Sequence, residues 1–495
     1  MAQEEPKIRI ETREELIFLL AEASAIEHNL MCCYLYAAWS LKRGERDGLT
    51  AEQAVAVNRW RRAITSVAVE EMTHLTLASN LLVSIGAGPH LSHPNFPIPP
   101  GYHPSGLTVE LAGFSPSVLD HFIFVERPEG KELDDSSEFV HPSNYHRTQP
   151  KGRLMPSAQD FGTVGHLYRG IRHGLEVLAH HIGEEALFCG EPASQIGPGD
   201  AALPGLSVVR DLKSAIEAIE TIIEQGEGAP EHSEDSHYSR FLNVRREYQA
   251  FLDADPDFQP AFPVAHNPTM RPPIEKHDHL HVTAAESARV LDFANSLYGH
   301  MLRCLVQAYG RGSADEEGKR LFVNTAIDLM ECLPPVGQYL ASLPANPHHP
   351  GINAGVTFSM LRDIARLPSG PGEKRMLAER VAEIAKHARR LFPEGHELHG
   401  LAERLDPVFA RFGVQGVKTV GASHPLPPAP KADDLPTTDE GCEIASGKTL
   451  EISFDGVRCI HARFCVLGAP AVFKANTPGE WIFPDAMETE ALAHV

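Results

Sequence analysis

Two short phrases, Glu71-Met72-Thr73-His74 and Glu234-Asp235-Ser236-His237, constrain this chain more than any other feature. On an α-helix a Glu and a His three residues apart project from one face, so each phrase offers a carboxylate and an imidazole to the same point. Glu-x-x-His also arises by chance in an acidic chain, and its phase within the helix decides what it means. In the first helical segment Leu16, Leu20, Ala23, Leu30, Tyr34 and Ala38 recur at three- and four-residue steps, and Glu27 falls inside that apolar stripe. In the second, Ile64, Val67, Ala68, Leu75, Ala78 and Leu82 form the stripe, with Glu71 and His74 in its phase. Beyond Glu234 and His237 the same phase continues through Phe241, Val244, Tyr248 and Phe251.

An ionised carboxylate buried without a partner costs several kcal/mol or takes up a proton, so three helices each turning acid inward require a compensating cation. A pair of iron or manganese ions supplies it, since inward-facing Glu and Glu-x-x-His residues are how helical bundles hold such pairs. The competing reading is buried ion pairing with Arg61, Arg62 or Arg240, or stripes that run in another phase.

At 495 residues the chain is too long for one core, and two to four domains are expected. Its 44 Lys and Arg against 66 Asp and Glu give a formal charge of -22, which argues against nucleic acid or an anionic membrane as partner. The start, MAQEEPKIRIETREE, lacks the basic and apolar character of a secretory signal, and no uninterrupted apolar stretch approaches a membrane span. A cytoplasmic location is expected. In a reducing compartment Cys32, Cys33, Cys189, Cys304 and Cys332 read as buried small hydrophobes.

The fold class expected is mainly α: a bundle with a long irregular insertion, a second helical region and a small α+β C-terminal module. Thr12 and Glu15 form a capping-box pattern that opens a helix running to about Lys42, and a second helix runs from about Ala51 to Ile85. Residues 89–156, rich in Pro, His and Gly with short runs such as LTVEL and HFIFVE, read as a lid or substrate wall inserted in a bundle of residues 1–254. Further helices are expected over Thr163–Phe188, Leu206–Gln225 and Ser233–Leu252. The Pro-rich stretch from Asp255 to Pro273 marks a boundary, residues 274–420 form a second helical region for packing or dimerisation, and 421–448 read as a linker.

The first region resembles the ferritin-like domains named after the iminophenylpyruvate dimer synthases of bisindole pigment pathways. The resemblance is carried by IEHNLMCCYLYAAWSLK, VEEMTHLTLASNLLVSIGAGP, TVGHLYRGIRHGL, IIEQGEG and SHYSRFL. It implies a metal-dependent bundle with Glu27 as ligand from the first helix, Glu71 and His74 from the second, and Glu234 and His237 from the fifth. The hairpin of the fourth and fifth helices places Glu227 near that last pair and makes it the preferred remaining carboxylate. His166, near the start of the third helix, competes for the role. Glu70 points away from the stripe, either to support a ligand from outside or to face solvent.

The terminal module, residues 449–495, is similar to the start of divergent single-cluster [4Fe-4S] domains, with Cys459 and Cys465 in the first two cysteine positions. A cluster needs about four soft ligands, so it is expected only if the chain is part of a longer protein or if Cys442 and an outside ligand complete the set. Carboxylate and imidazole ligands leave metal positions open to oxygen or substrate. The function expected is therefore a non-haem di-iron oxidase or oxygenase acting on a small molecule in biosynthesis, served by an electron donor and possible as a homodimer. The alternatives are an imine-coupling synthase using haem or mononuclear iron, and a non-catalytic iron-binding scaffold.

Overall fold

The structure is a computed structural model that describes residues 7–99, 102–103, 108–140, 154–226, 235–270, 279–361, 364–417, 442–455, 464–469, 471–474 and 481–492. It is mainly α and divides into two compact units, Met1–Arg271 with Asp278–Lys418, and Pro272–His277 with Thr419–Val495.

Two long helices form the spine of the larger unit. Helix α1 (Arg13–Ser40) opens with the capping box of Thr12 and Glu15, and α2 (Ala51–Ser84) with a second one made by Thr50 and Gln53. Each box satisfies backbone N–H groups that a helix start leaves without partners. The two helices pack along each other and bury Leu16, Leu20, Ile64, Val67 and Leu82 with Glu27, Glu71 and His74, as the stripes required. By length and mean hydropathy α1 also passes for a membrane span, although Glu22 and Glu27 interrupt its apolar run. Most of its apolar surface is buried against protein.

The later helices are shorter than the sequence suggested. Helix α4 (Val164–Ile182) is capped by Thr163 and stops at Gly183, whose φ of +87° suits glycine; the one-turn α5 (Glu184–Leu187) follows. Helix α6 (Leu212–Gln225) starts only at the Asp211–Ser214 capping box. Helix α7 (His237–Ala254) is capped by Ser236, so the described residues Asp235 and Ser236 precede it and it begins at His237.

Residues 89–156 are more than a lid. They contain α3 (Pro116–Val125), started by the Ser115 cap and Pro116 at its first position, and α3 packs on α7 with Val118, Leu119, Phe122, Ile123 and Val125 buried.

The second helical region comprises α8 (Ala285–Ala308), α9 (Glu316–Ala341), α10 (Pro371–Leu391) and α11 (Leu401–Arg411), and it shares a core with the first. Helix α9 runs unbroken through Pro334 and Pro335, with Leu333, Val336 and Leu340 buried around them. Gly337 of α9 faces the Trp39 ring of α1 so closely that a Cβ would collide with it. The Pro-rich stretch expected to mark a boundary instead stitches the regions together. Ala261 bridges to Leu41, and Val264 to Asn353.

Cys32, Cys33, Cys304 and Cys332 are buried as expected, whereas Cys189 is exposed. It lies beyond the end of α5, outside any apolar stripe, with its sulfur 3.8 Å from Arg13 Nη1.

The smaller unit holds an antiparallel hairpin, β1 (Cys442–Ser446) and β2 (Glu451–Asp455), in the register Cys442 to Asp455 and Ser446 to Glu451. Two short helices, α12 (Phe464–Gly468) and α13 (Thr489–Leu492), accompany a small core of Ala469, Val472 and Leu492.

Candidate metal centre

Four segments of the larger unit send carboxylates and imidazoles to one buried place. Helix α1 contributes Glu27, α2 contributes Glu71 and His74, the residue closing α3 is Glu126, and the first residue of α7 is His237; none is more than 2% exposed. His74 Nδ1 lies 3.2 Å from Glu71 Oε2 and 3.5 Å from Glu27 Oε2. His237 Nδ1 lies 3.0 Å from Glu71 Oε1 and 3.4 Å from Glu126 Oε2. The donor atoms of Glu27, Glu71 and His74 fall within 4.8 Å of one another, and so do those of Glu71, Glu126 and His237. Glu71 belongs to both sets.

The surrounding residues orient these groups. His74 Nε2 donates to Gln225 Oε1 at 3.2 Å, and His237 Nε2 to Glu70 Oε2 at 3.0 Å. Glu70 is itself fixed by Arg240 Nη1, which donates to its other oxygen at 2.6 Å. Each imidazole thus spends its Nε2 proton on an outward acceptor and turns Nδ1 inward, the arrangement that fixes a metal-ligating histidine. Tyr168 Oη donates to Glu27 Oε1 at 2.6 Å and Tyr34 Oη to Glu126 Oε1 at 2.5 Å, so each outer carboxylate has one oxygen anchored and one facing the centre.

Three facing atoms, Glu27 Oε2, Glu126 Oε2 and His237 Nδ1, are buried without a hydrogen-bond partner. The 3.0 Å approach of Glu71 Oε1 to His237 Nδ1 lacks hydrogen-bond alignment, as lone pairs directed at a common third body do. Ligand–metal bonds of about 2.0–2.2 Å allow donors of one ion to stand up to about 4.4 Å apart, close to the spread seen here. The donor set therefore fits two divalent ions sharing Glu71.

The alternative of guanidinium neutralisation does not hold. Arg240 pairs with Glu70, Arg61 bonds Asn58 and the carbonyls of Leu41 and Lys42, and Arg62 bonds the carbonyl of Asn58. Among the described residues no Arg or Lys forms an ion pair with Glu27, Glu71 or Glu126. In the metal-free protein protons carry the compensation. Burial, reinforced by Glu71, pushes the Glu27 carboxyl up to about 8. Burial opposes ionisation of Glu71 too, yet His74 and His237 hold it well below the ordinary value. Against the same burial, Glu71 and Glu27 raise His74 to about 10, and Glu126 and Glu71 raise His237 well above its usual range.

Of the residues the sequence proposed, Glu27, Glu71, His74 and His237 come together here. Glu227 and Glu234 lie outside the described residues, although Gln225 at the end of α6 bonds the His74 ring. His166 lies 3.4 Å from Glu129 and joins neither set. Cys459 also lies outside the described residues, and Cys465, in α12, is partly exposed. Sequence reasoning missed Glu126. Its signal was the Ser115-Pro116 helix start, which makes HFIFVE the end of a helix rather than a strand-like run.

Residues 20–246 match the family model described as Ferritin-like. The chain contains a ferritin-like domain. The matched span takes in the whole candidate centre, Glu27 to His237. Two curated relatives extend the comparison. Dichlorochromopyrrolate synthase of Lentzea aerocolonigenes is 28% identical over 77% of this chain and 39% of its own length. The 2-imino-3-(indol-3-yl)propanoate dimerase of Chromobacterium violaceum is 26% identical over 78% of this chain and 38% of its own. The chain thus spans about two fifths of the length of these relatives, which are of the dimer synthase type. A ferritin-like protein from Caulobacter vibrioides, known from its crystal structure, aligns with 69% of this chain and 99% of its own at 18% identity, with a TM-score of 0.41.

Proposed function

We propose that the ferritin-like domain is the metal-binding part of a biosynthetic oxidoreductase that acts on a small molecule with a pair of iron or manganese ions. Glu27, Glu71 and His74 would hold one ion, and Glu71, Glu126 and His237 the other. The observation that carries this reading is Glu71, whose two oxygens face the inward nitrogens of two different histidines. When bound, such a pair supplies electrons for the reduction of oxygen.

The chain's own residues do the rest. Glu70 and Gln225 hold the imidazoles in one tautomer, and Tyr34 and Tyr168 hold the outer carboxylates. Phe122 and Phe241 pack edge-on and tilted against Tyr34 and keep water from that flank. Protons held by the imidazoles and by Glu27 are given up as cations enter, which couples loading to pH.

The names of the two relatives favour a second reading of the same site, in which the small molecules are two imino acids that become joined. Elemental analysis and an optical spectrum of the full chain test both. The expected result is two irons or manganese ions per chain, no Soret band, and loss of both ions in Glu71→Ala. Full metal occupancy in that variant overturns the shared-carboxylate assignment, and a Soret band replaces the paired-ion reading with haem.

A further inference from the structure

Helix α1 carries a second inward-facing group of potential ligands that the centre described above does not use. His28 and Cys32, four residues apart, share a face of α1 turned away from that of Glu27. His93, from the chain beyond α2, and Tyr298, from α8, meet them there. His28 and Cys32 are fully buried, Tyr298 is 1% exposed and His93 7%. The donor atoms of His28, Cys32 and His93 lie within 4.8 Å of one another. Tyr298 Oη stands 2.7 Å from Nε2 of each imidazole and 3.8 Å from Cys32 Sγ.

We propose that His28, Cys32, His93 and Tyr298 form a separate site for one transition-metal ion of the zinc–copper class. A proton count distinguishes this from a self-contained polar knot. His93 Nδ1 is 2.6 Å from the Pro94 carbonyl oxygen, which can only accept, so Nδ1 carries the proton and Nε2 of the neutral ring is bare. The one phenolic proton of Tyr298 is then spent on His93. His28 Nε2 must either donate to the same oxygen or present a lone pair to it. In the first case Nδ1 of His28 is left as a buried acceptor with no hydrogen-bond partner; in the second the lone pairs of nitrogen and oxygen face each other. Both leave one nitrogen of a fully buried histidine unsatisfied, and a cation at the focus of the four donors removes the defect.

The donor set selects the metal. Two imidazoles and a thiolate suit zinc or copper, and magnesium or calcium, which take oxygen ligands, are excluded. On binding, the Cys32 S–H bond is exchanged for a sulfur–metal bond and that proton leaves to solvent, while Tyr298 turns its phenolic proton away from His93 Nε2, keeps it, and offers an oxygen lone pair. A cavity of about 530 Å³ is lined by His90, Leu91 and Ser92, the residues immediately before His93 in the chain.

Cobalt(II) titration of the chelator-stripped full chain, followed by absorption, tests the site. A thiolate ligand gives a sulfur-to-cobalt charge-transfer band, to which a carboxylate–imidazole centre is silent, so failure here leaves the paired-ion reading untouched. The band is expected to saturate at one cobalt per chain, to vanish in Cys32→Ser and His93→Gln, and to survive Cys465→Ser. Absence of the band in folded wild type, or its persistence in either of the first two variants, overturns the proposal. Should Cys32→Ser fail to fold by circular dichroism, His93→Gln decides alone, since residue 93 lies outside any helix.

Discussion

Glu373 and Glu71 are both buried carboxylates of the larger unit, and the protein treats them in opposite ways. Glu373, on α10, accepts from the equally buried Arg311 and from Gln307, and the Arg311 guanidinium also lies 4.4 Å over the Phe322 ring. Its charge is neutralised by fixed groups. Glu71 sits among Glu27, Glu126 and two imidazoles, with no arginine or lysine in reach among the described residues. Permanent pairing makes a structural element, whereas acid left to protons can exchange them for a metal ion. The difference marks which buried charge is available for chemistry.

The largest test of that contrast removes the fixed partner. Arg311→Met should destabilise the protein by about 3–5 kcal/mol in urea unfolding, because Glu373 is left buried and unpaired. By comparison Glu126→Gln imitates the neutral carboxyl that burial already favours at that position, and should leave the metal-free protein within about 1 kcal/mol of wild type. Equal costs for the two would erase the distinction.

A pH series sharpens it next. The folded metal-free protein holds a proton on Glu27 up to about 8, against an ordinary value of 4.5, and one on His74 up to about 10, against 6.5. Both groups bind protons more tightly when folded, so their contribution is fully present below 4.5 for Glu27 and below 6.5 for His74, and it is lost as pH rises through 8 and 10. The Tm of chelator-stripped protein should therefore fall from neutral to alkaline pH. Metal-loaded protein should fall less over that range, since cations replace those protons and bind better as pH rises. Parallel curves for the two forms would count against metal binding at these groups.

How much of this was legible in the sequence depended on helix length. Glu27, Glu71 and His74 lie on helices long enough for the apolar stripe to fix their phase, and His237 shares the phase of Phe241 and Val244. Glu126 follows a ten-residue helix with little polar face, so no periodicity marked it as inward. Glu234, read with His237 as one phrase, lies outside the described residues. The helices of the second region were evident, yet their closure onto α1 was not. Contacts such as His28 to Tyr298, 270 residues apart, leave no trace in local pattern.

A smaller effect is expected where the outward partners of the two imidazoles are removed. Glu70→Ala frees the outward nitrogen of His237 and leaves Arg240 without its acceptor, and should weaken metal binding about 10–100-fold by competition with a chelator. Gln225→Leu, which removes the corresponding acceptor from His74, should act in the same direction.

The smallest effect divides the centre into its halves. Tyr168 anchors only Glu27 and Tyr34 only Glu126, so each Tyr→Phe change loosens one three-ligand set while Glu71, shared by both, stays in place. A single hydrogen bond to a carboxylate contributes about 1.5–3 kcal/mol, part of which is recovered if the freed oxygen turns towards the metal. Calorimetric titration with manganese should show two steps in each variant, one near the wild-type affinity and one weakened by roughly three- to tenfold, about 0.7–1.4 kcal/mol. A uniform weakening of both steps by either change would mean that the ions are bound as one cooperative unit through Glu71, and the two halves would lose their separate meaning.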